Sequence, residues 1–494
     1  MKSNSLVTAR QRLWARLPFF SSAGRRLLLA AAVLHVTLAL GLFGAGRMQL
    51  APGFIDRDGI IPSFAFDTYE YQRDAKQLSL VLRRDGVAAW ANIPEFVHVK
   101  LVSILFTVFG PLIGYGPLTA EPFNLLCYLL VIGLTLALGQ EIGNARIGLL
   151  AAAVVALWPT LLLHSLQLLK DTLFIAAALA LVLCVTTWLT RTYSPRRAIV
   201  TGAITLFVIS LLIFVRSSFA IVILGVVLFG FVLLVVRQLI ERRPLYWNMV
   251  GPLFLLVAGA LLITSQTIGA SQKFKHHPAI EAGEAKAGAT RGIKVRSAAS
   301  YLPRINYEGS PTTYTGKLSD RSHRMALRIG SVRDRFAANY SKSGSAIDTG
   351  VRIRNLNGLL SYVPRAFVVG CCAPFPTMWL VKGQRVGSAG KLLSGVETLI
   401  MYVIGLLALF ALVCPPHRLA AALLLSISIL GVTLLGLVVP NVGAIYRFRY
   451  VFWVLLIILG VKGFEVIRGY VRMWFDSRRT QVSLPADETV VQEN

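Results

Sequence analysis

Four short clusters of charged residues lie at the edges of apolar runs. They are Phe66-Asp67-Thr-Tyr-Glu70-Tyr71, His164 with Lys170-Asp171, Arg216 alone, and Tyr446-Arg447-Phe-Arg449. These types suit group transfer at a phosphate. A carboxylate such as Asp67 or Asp171, with Glu70 as a further acid, can take the proton of an attacking hydroxyl or amine. Guanidinium groups at Arg447, Arg449 and Arg216 can grip a phosphate in a two-pronged way, and the Lys170 ammonium can add to the charge. A divalent cation could be held by carboxylate oxygens, but two acids are too few to demand one. Each cluster also has a plainer reading. Asp67-Thr-Tyr-Glu70 is a capping-box pattern ahead of an amphipathic segment. Asp171 suits the N-cap of the apolar run it precedes, and Lys170-Asp171 can be a snorkelling pair. Arg447 and Arg449 can reach headgroups among interfacial tyrosines. What favours chemistry is location, because charge at membrane depth is expensive and tends to mark a working cavity.

The elements that must position these residues are apolar helices. Of 494 residues, 55% are hydrophobic and 15% charged, and the mean hydropathy is +0.65. Several runs approach or exceed the ~20 residues that span a bilayer, where only helices satisfy every backbone group internally. The chain reads as an all-α polytopic membrane protein of about ten spans. The net charge of +27 is read as an orientation signal and as contact with anionic membrane lipids, not as a nucleic-acid footprint. Cys127, Cys184, Cys371, Cys372 and Cys414 each lie in or beside an apolar run, which suggests neither a disulfide framework nor metal-ligand spacing. His98, His276 and His277 show no metal spacing either.

Residues 1–26 carry six basic residues and no acid, so they form a cytoplasmic tail and the span at 27–46 runs outward. The first polar loop, 47–96, then lies outside and holds seven of the 23 acidic residues. Within it Tyr71, Ala75, Leu78 and Leu82 recur at helical spacing, which predicts a helix on the outer membrane surface. Residues 97–115 are apolar but contain Gly110, Pro111 and Gly114. The positive-inside bias of later loops makes them a re-entrant or interfacial segment. Spans follow at about 118–139, 147–164, 172–190, 198–215, 218–236 and 248–266, completing a module over 27–266. Residues 267–357 form one large extracytoplasmic loop or small domain, with a helix expected at 318–340. Residues 358–380, broken by Pro364, Pro374 and Pro376, are a second re-entrant segment. Spans at 391–413, 418–439 and 448–463 complete a C-terminal transmembrane region, 358–463, followed by a cytoplasmic tail, 464–494. On this topology Asp67, Glu70, Asp74, His164, Lys170, Asp171, Arg216, Arg447 and Arg449 all face outward.

Residues 27–190 carry a family likeness. The features are Asp67 followed by Tyr71 and an amphipathic helix, Ile93-Pro-Glu-Phe-Val-His98 leading into Leu105-Phe-Thr-Val-Phe-Gly110, Phe123-Asn124 opening a span that ends near Gln140 to Arg146, and Trp158-Pro159 followed by Ser165 through Lys170-Asp171-Thr172. In these the chain resembles the GT-C class of polyprenyl-phosphate-sugar-dependent membrane glycosyltransferases, the glycosyltransferase family 39-like group of protein mannosyltransferases and the lipid A aminoarabinose transferase. Tyr446-Arg447-Phe-Arg449 with Gly463 is a looser match to polysaccharide-cluster membrane proteins. The resemblance implies a GT-C-like helical bundle in a bacterial cytoplasmic (inner) membrane, with its active site facing the periplasm. It implies transfer of a sugar, with inversion, from a polyprenyl-phosphate donor to a glycan, lipid or protein acceptor of the envelope. Asp67 takes the role of base or metal-linked activator, and Asp171 that of the second acid. Many relatives have adjacent Asp-Glu, whereas Thr68 follows Asp67 here, so Glu70 stays a candidate for the base. Two other readings stand beside this one. An O-antigen polymerase or ligase would hold an undecaprenyl-diphosphate-linked glycan with Arg447 and Arg449 and depend less on Asp67. A transporter or flippase would show interrupted helices in paired halves and charges near mid-bilayer.

Overall fold

The computed structural model describes residues 21–62, 67–216, 219–242, 245–253, 255–256, 318–340, 344–380, 387–413 and 416–482. Among them the regular structure is helical, with one isolated antiparallel bridge between Ala346 and Asn441. Eight helices are long and apolar enough to cross a membrane, or nine if one bent pair is a single span. The chain is a multi-pass helical membrane protein, as its hydropathy requires. Residues 254 and 257–266 of the expected span at 248–266, most of the loop 267–357, Cys414, His276 and His277 lie outside the described residues.

Helix α1 (Ser22–Arg47) is capped by the Ser21 hydroxyl, which accepts from Gly24 N at 3.0 Å. Helix α2 (Asp67–Arg84) is the expected amphipathic segment. It buries Thr68, Ala75, Leu78 and Ser79, and exposes Arg73, Lys76, Arg83 and Arg84. Short α3 (Gly86–Asn92) leads to α4 (Val97–Ile113), apolar but only 17 residues long. Helix α2 packs on α4 through Ala75, Leu78, Val99, Val102 and Phe106.

Helix α5 (Glu121–Ile142) follows, then α6 (Ala145–Ala156) and α7 (Pro159–Ser165). The last two correct the continuous span expected at 147–164, because they meet at a bend of 67°. The cause is local: a residue before proline is pushed out of the helical region, and Trp158 is extended ahead of Pro159. Helix α8 (Asp171–Thr190) is the most enclosed span, and α9 (Pro195–Val215) and α10 (Ala220–Glu241) pack against it.

Helix α11 (Leu318–Tyr340) matches the helix expected at 318–340. It is fixed to the bundle by buried Arg333, whose guanidinium donates to the carbonyls of Gly436 and Leu437. Helices α12 (Leu356–Cys372) and short α13 (Pro376–Trp379) precede the spans α14 (Gly387–Phe410) and α15 (Arg418–Val438). Helices α12 and α15 approach closely, because Gly370 lies against the Val432 carbonyl and Gly436 against the Ala366 carbonyl. Small residues allow such contact between helices in lipid. Short α16 (Val442–Phe448), capped by Asn441 onto Ala444 N, turns the chain into α17 (Tyr450–Val482). At 33 residues α17 is about 50 Å long at 1.5 Å per residue. It outruns a hydrocarbon core of ~30 Å, and the helix continues beyond the expected span end at 463 to Val482.

Buried polar contacts tie these helices together. His35 in α1 meets Glu121 at 2.6 Å and Ser165 at 2.9 Å, joining α1 to α5 and α7. Glu397, in the middle of α14, accepts from Thr160 N at 2.9 Å and from its hydroxyl at 2.5 Å, and also from the Tyr446 hydroxyl. It thereby satisfies a free amide at the start of α7, where a helix leaves its first N–H groups unpaired.

Candidate functional site

Asp67 opens α2, Asp171 opens α8, Arg216 ends α9 and Arg447 lies in the last turn of α16. Each sits at a helix terminus, and all four termini meet at one end of the bundle. Arg447 is the hinge of the cluster. Its Nη2 donates to Asp67 Oδ2 at 2.7 Å. Its Nε lies 3.1 Å from Asp171 Oδ2, a charge contact whose N–H is not aligned for a hydrogen bond. The other Asp171 oxygen accepts from Arg216 Nη2 at 2.5 Å. Asp171 is therefore gripped on both sides, with only 6% of its side chain exposed, whereas Asp67 is 39% exposed. The Arg216 guanidinium is further held over the rings of Phe448 at 4.4 Å and Phe174 at 5.1 Å.

Capping does not describe either carboxylate. Lys170, not Asp171, is the N-cap of α8 and makes no side-chain cap bond, and Asp171 is spent on guanidinium. Asp67 lies in the first turn of α2 and turns to Arg447. Both acids still gain from the positive ends of their helices.

Lys170 Nζ lies 4.1 Å from the Phe96 ring centre and 5.8 Å from that of Tyr71. Burial, with Arg216 nearby, pulls its ammonium down to about 8, against the opposing pull of Asp171 and Asp67. Burial first, then Asp67 and Asp171, push the Tyr71 phenol well above its usual range. Burial opposes the Arg447 charge, but Asp171 and Asp67 outweigh it and hold that guanidinium more firmly protonated than usual.

Arg449 stands apart from these ion pairs. Arg449 is fully buried, and its guanidinium donates to the carbonyls of Gly370, Cys371 and Ala373 and to the Thr398 hydroxyl. It also lies 3.9 Å over Trp453. It closes the C-terminal end of α12 and does not join Arg447 on a shared ligand. The reason is geometric: residues two apart on a helix do not face the same way. Glu70 is half-buried on α2. Asp74 lies 3.1 Å from its neighbour Arg73, and His164 Nδ1 lies 2.6 Å from the Thr160 carbonyl.

Among the described residues no group of three or more His, Cys, Asp or Glu could hold a metal ion. Asp67 and Asp171 are each engaged by guanidinium, so a divalent cation would have to displace an arginine to reach them. As a donor set the pair does not fit a resident metal.

Sequence reasoning passed over Glu397. Its signal was a single acid inside an otherwise apolar run. Glu121, likewise buried, was hidden as an ordinary first-turn acid.

A family described as predicted membrane protein (DUF2142) matches residues 122–306. The match takes in Lys170, Asp171 and Arg216 and leaves out Asp67 and Arg447. No curated protein and no solved structure matches the chain.

Proposed function

We propose that this membrane protein is a glycosyltransferase of GT-C type. It moves a sugar from a polyprenyl-phosphate donor to a glycan, lipid or protein acceptor on the periplasmic side of a bacterial inner membrane. The observation that carries the reading is the bridge of Arg447 between Asp67 and Asp171, with Arg216 and Lys170 beside it. Three cations gather around two carboxylates, with Glu95 at the margin in electrostatic reach of Lys170. Guanidinium and ammonium groups so placed suit a lipid-linked phosphate arriving at the bundle end.

The geometry supports a division of labour among these residues. Donor phosphate competes with Asp67 for the Arg447 guanidinium, and Lys170 adds a second cation. Asp67, the exposed carboxylate, is thereby released to take the proton of the acceptor hydroxyl or amine. The acceptor atom bonds to the anomeric carbon as the bond from that carbon to the phosphate oxygen breaks. The electron pair leaves on the phosphate, where Arg447 and Lys170 stabilise it. Asp171 holds Arg447 and Arg216 in place and is a positioning residue. No step is routed through a metal ion.

Asp67→Asn tests the reading in membranes supplied with a polyprenyl-phosphate sugar. Loss of a general base costs about 10²–10⁴ in rate, so transfer should fall at least a hundredfold. Wild-type transfer by that variant would remove Asp67 as base.

The transporter reading gains one observation, the broken span of α6 and α7 with Glu397 at the break. In transporters such half-helix ends face the cargo. Here Glu397 already takes the Thr160 amide and hydroxyl, which leaves those donors no cargo to bind. The polymerase or ligase reading loses Arg449, which is spent on carbonyls.

A further inference from the structure

His98 opens α4 beside the site, is 2% exposed, and has neither ring nitrogen bonded among the described residues. Tyr71 meets it edge-on at 4.5 Å, and Phe96 lies 5.8 Å from it. Lys170 rests on those same two rings. Thr68, one turn before Tyr71 on α2, also has a buried hydroxyl with no partner among the described residues. Buried polar atoms in native proteins are nearly always bonded, and each exception calls for an explanation. An imidazole with two idle nitrogens bears its desolvation penalty with nothing to offset it. Packing alone would be served by phenylalanine at this position. Burial holds the ring neutral, with its pKa lowered to about 3.

A neutral imidazole presents one donor and one acceptor, and a hydroxyl group presents both in return. Such a ring does not select an anion, which the arginines and Lys170 already do. We infer that His98, Thr68 and Tyr71 form a subsite for the hydroxyl groups of the transferred sugar, with Lys170 at the boundary between sugar and phosphate. The inference rests on the glycosyl-transfer reading and names the part of the donor this corner recognises. Phe96, 39% exposed and next to the irregular stretch between α3 and α4, covers the imidazole.

The test uses the full chain in nanodiscs, isotopically labelled at histidine, with the His98→Phe variant identifying the His98 signal. Inorganic phosphate and a panel of hexose and pentose 1-phosphates are titrated in turn. At least one sugar phosphate should shift the His98 nitrogens and bind about tenfold more tightly than inorganic phosphate, as one well-made polar contact allows. His98→Phe should lose that increment, but not the affinity for inorganic phosphate, and should melt at a higher temperature without ligand. His98→Gln, which keeps a donor and an acceptor, should recover part of the increment. If sugar phosphates bind no better than phosphate, or His98→Phe keeps the increment, the subsite is wrong while the phosphate site stands. If neither probe binds, the glycosyl-transfer reading falls with it.

Discussion

Asp67 and Asp171 carry the same group in different surroundings. Asp171 is enclosed between two guanidinium groups and cannot leave them without exposing buried charge. Asp67 has one partner and partial access to solvent, so a substrate anion can take that partner away. Lys170 gives this scale a pH signature. Its ammonium, lowered to about 8 by burial and Arg216, is charged below that value and neutral above it. Asp171, Asp67, Arg216 and Arg447 also face it, and the arginines stay charged throughout. Phosphate affinity should therefore fall as pH rises through about 8. Calorimetric titration of a dialkyl phosphate, whose single charge is constant, between pH 6.5 and 9.5 reads this, and Lys170→Met should flatten the profile. A wild-type affinity unchanged across that range would take Lys170 out of the site.

At the scale of elements, the site depends on how α16 is held. Tyr446 and Arg449 flank Arg447 in sequence, and both are tied to other helices. Tyr446 reaches Glu397 in α14, and Arg449 reaches the last carbonyls of α12. Tyr450 adds a bond to the Thr160 hydroxyl. Glu397 is thus a keystone for α7, α14 and α16. Glu397→Ala should leave the Thr160 amide and the Tyr446 hydroxyl unpaired, at about 1–3 kcal/mol for each buried group. A thermal shift in detergent should record a clear drop in melting temperature, with Glu397→Gln losing less because one acceptor oxygen remains. Equal melting of Glu397→Ala and wild type would mean that the network carries no stability. Much at this scale was legible in the residues. Periodicity located α2, and apolar runs located α1, α5, α8, α9, α14 and α15. Glu397 was not legible, because an acid in an apolar run has no meaning until its partners are known.

For the whole molecule, the decisive quantity is sidedness. Asp67, Asp171, Arg216 and Arg447 share one end of the bundle, while the Glu141–Arg191 pair and the far part of α17 lie at the other. In the proposed orientation, drawn from the basic N-terminal tail, the first end faces the periplasm. With native cysteines replaced by alanine, Arg73→Cys on α2 should react with a membrane-impermeant thiol reagent in intact cells. Gly469→Cys on α17 should react only after permeabilisation. Labelling of both from the same side would dismantle the proposed orientation.

The sequence by itself determined the membrane class, most helix positions and the set of charged residues from which a site could be built. These follow from hydropathy and spacing, which act over a few helical turns. Tertiary structure alone decided that Arg447 and not Arg449 meets the carboxylates and that Glu397 holds α16. The physical reason is distance along the chain: Arg447 and Asp67 are 380 residues apart, and Glu397 and Thr160 are 237 apart. Partners so remote are chosen by helix packing, which no local pattern encodes.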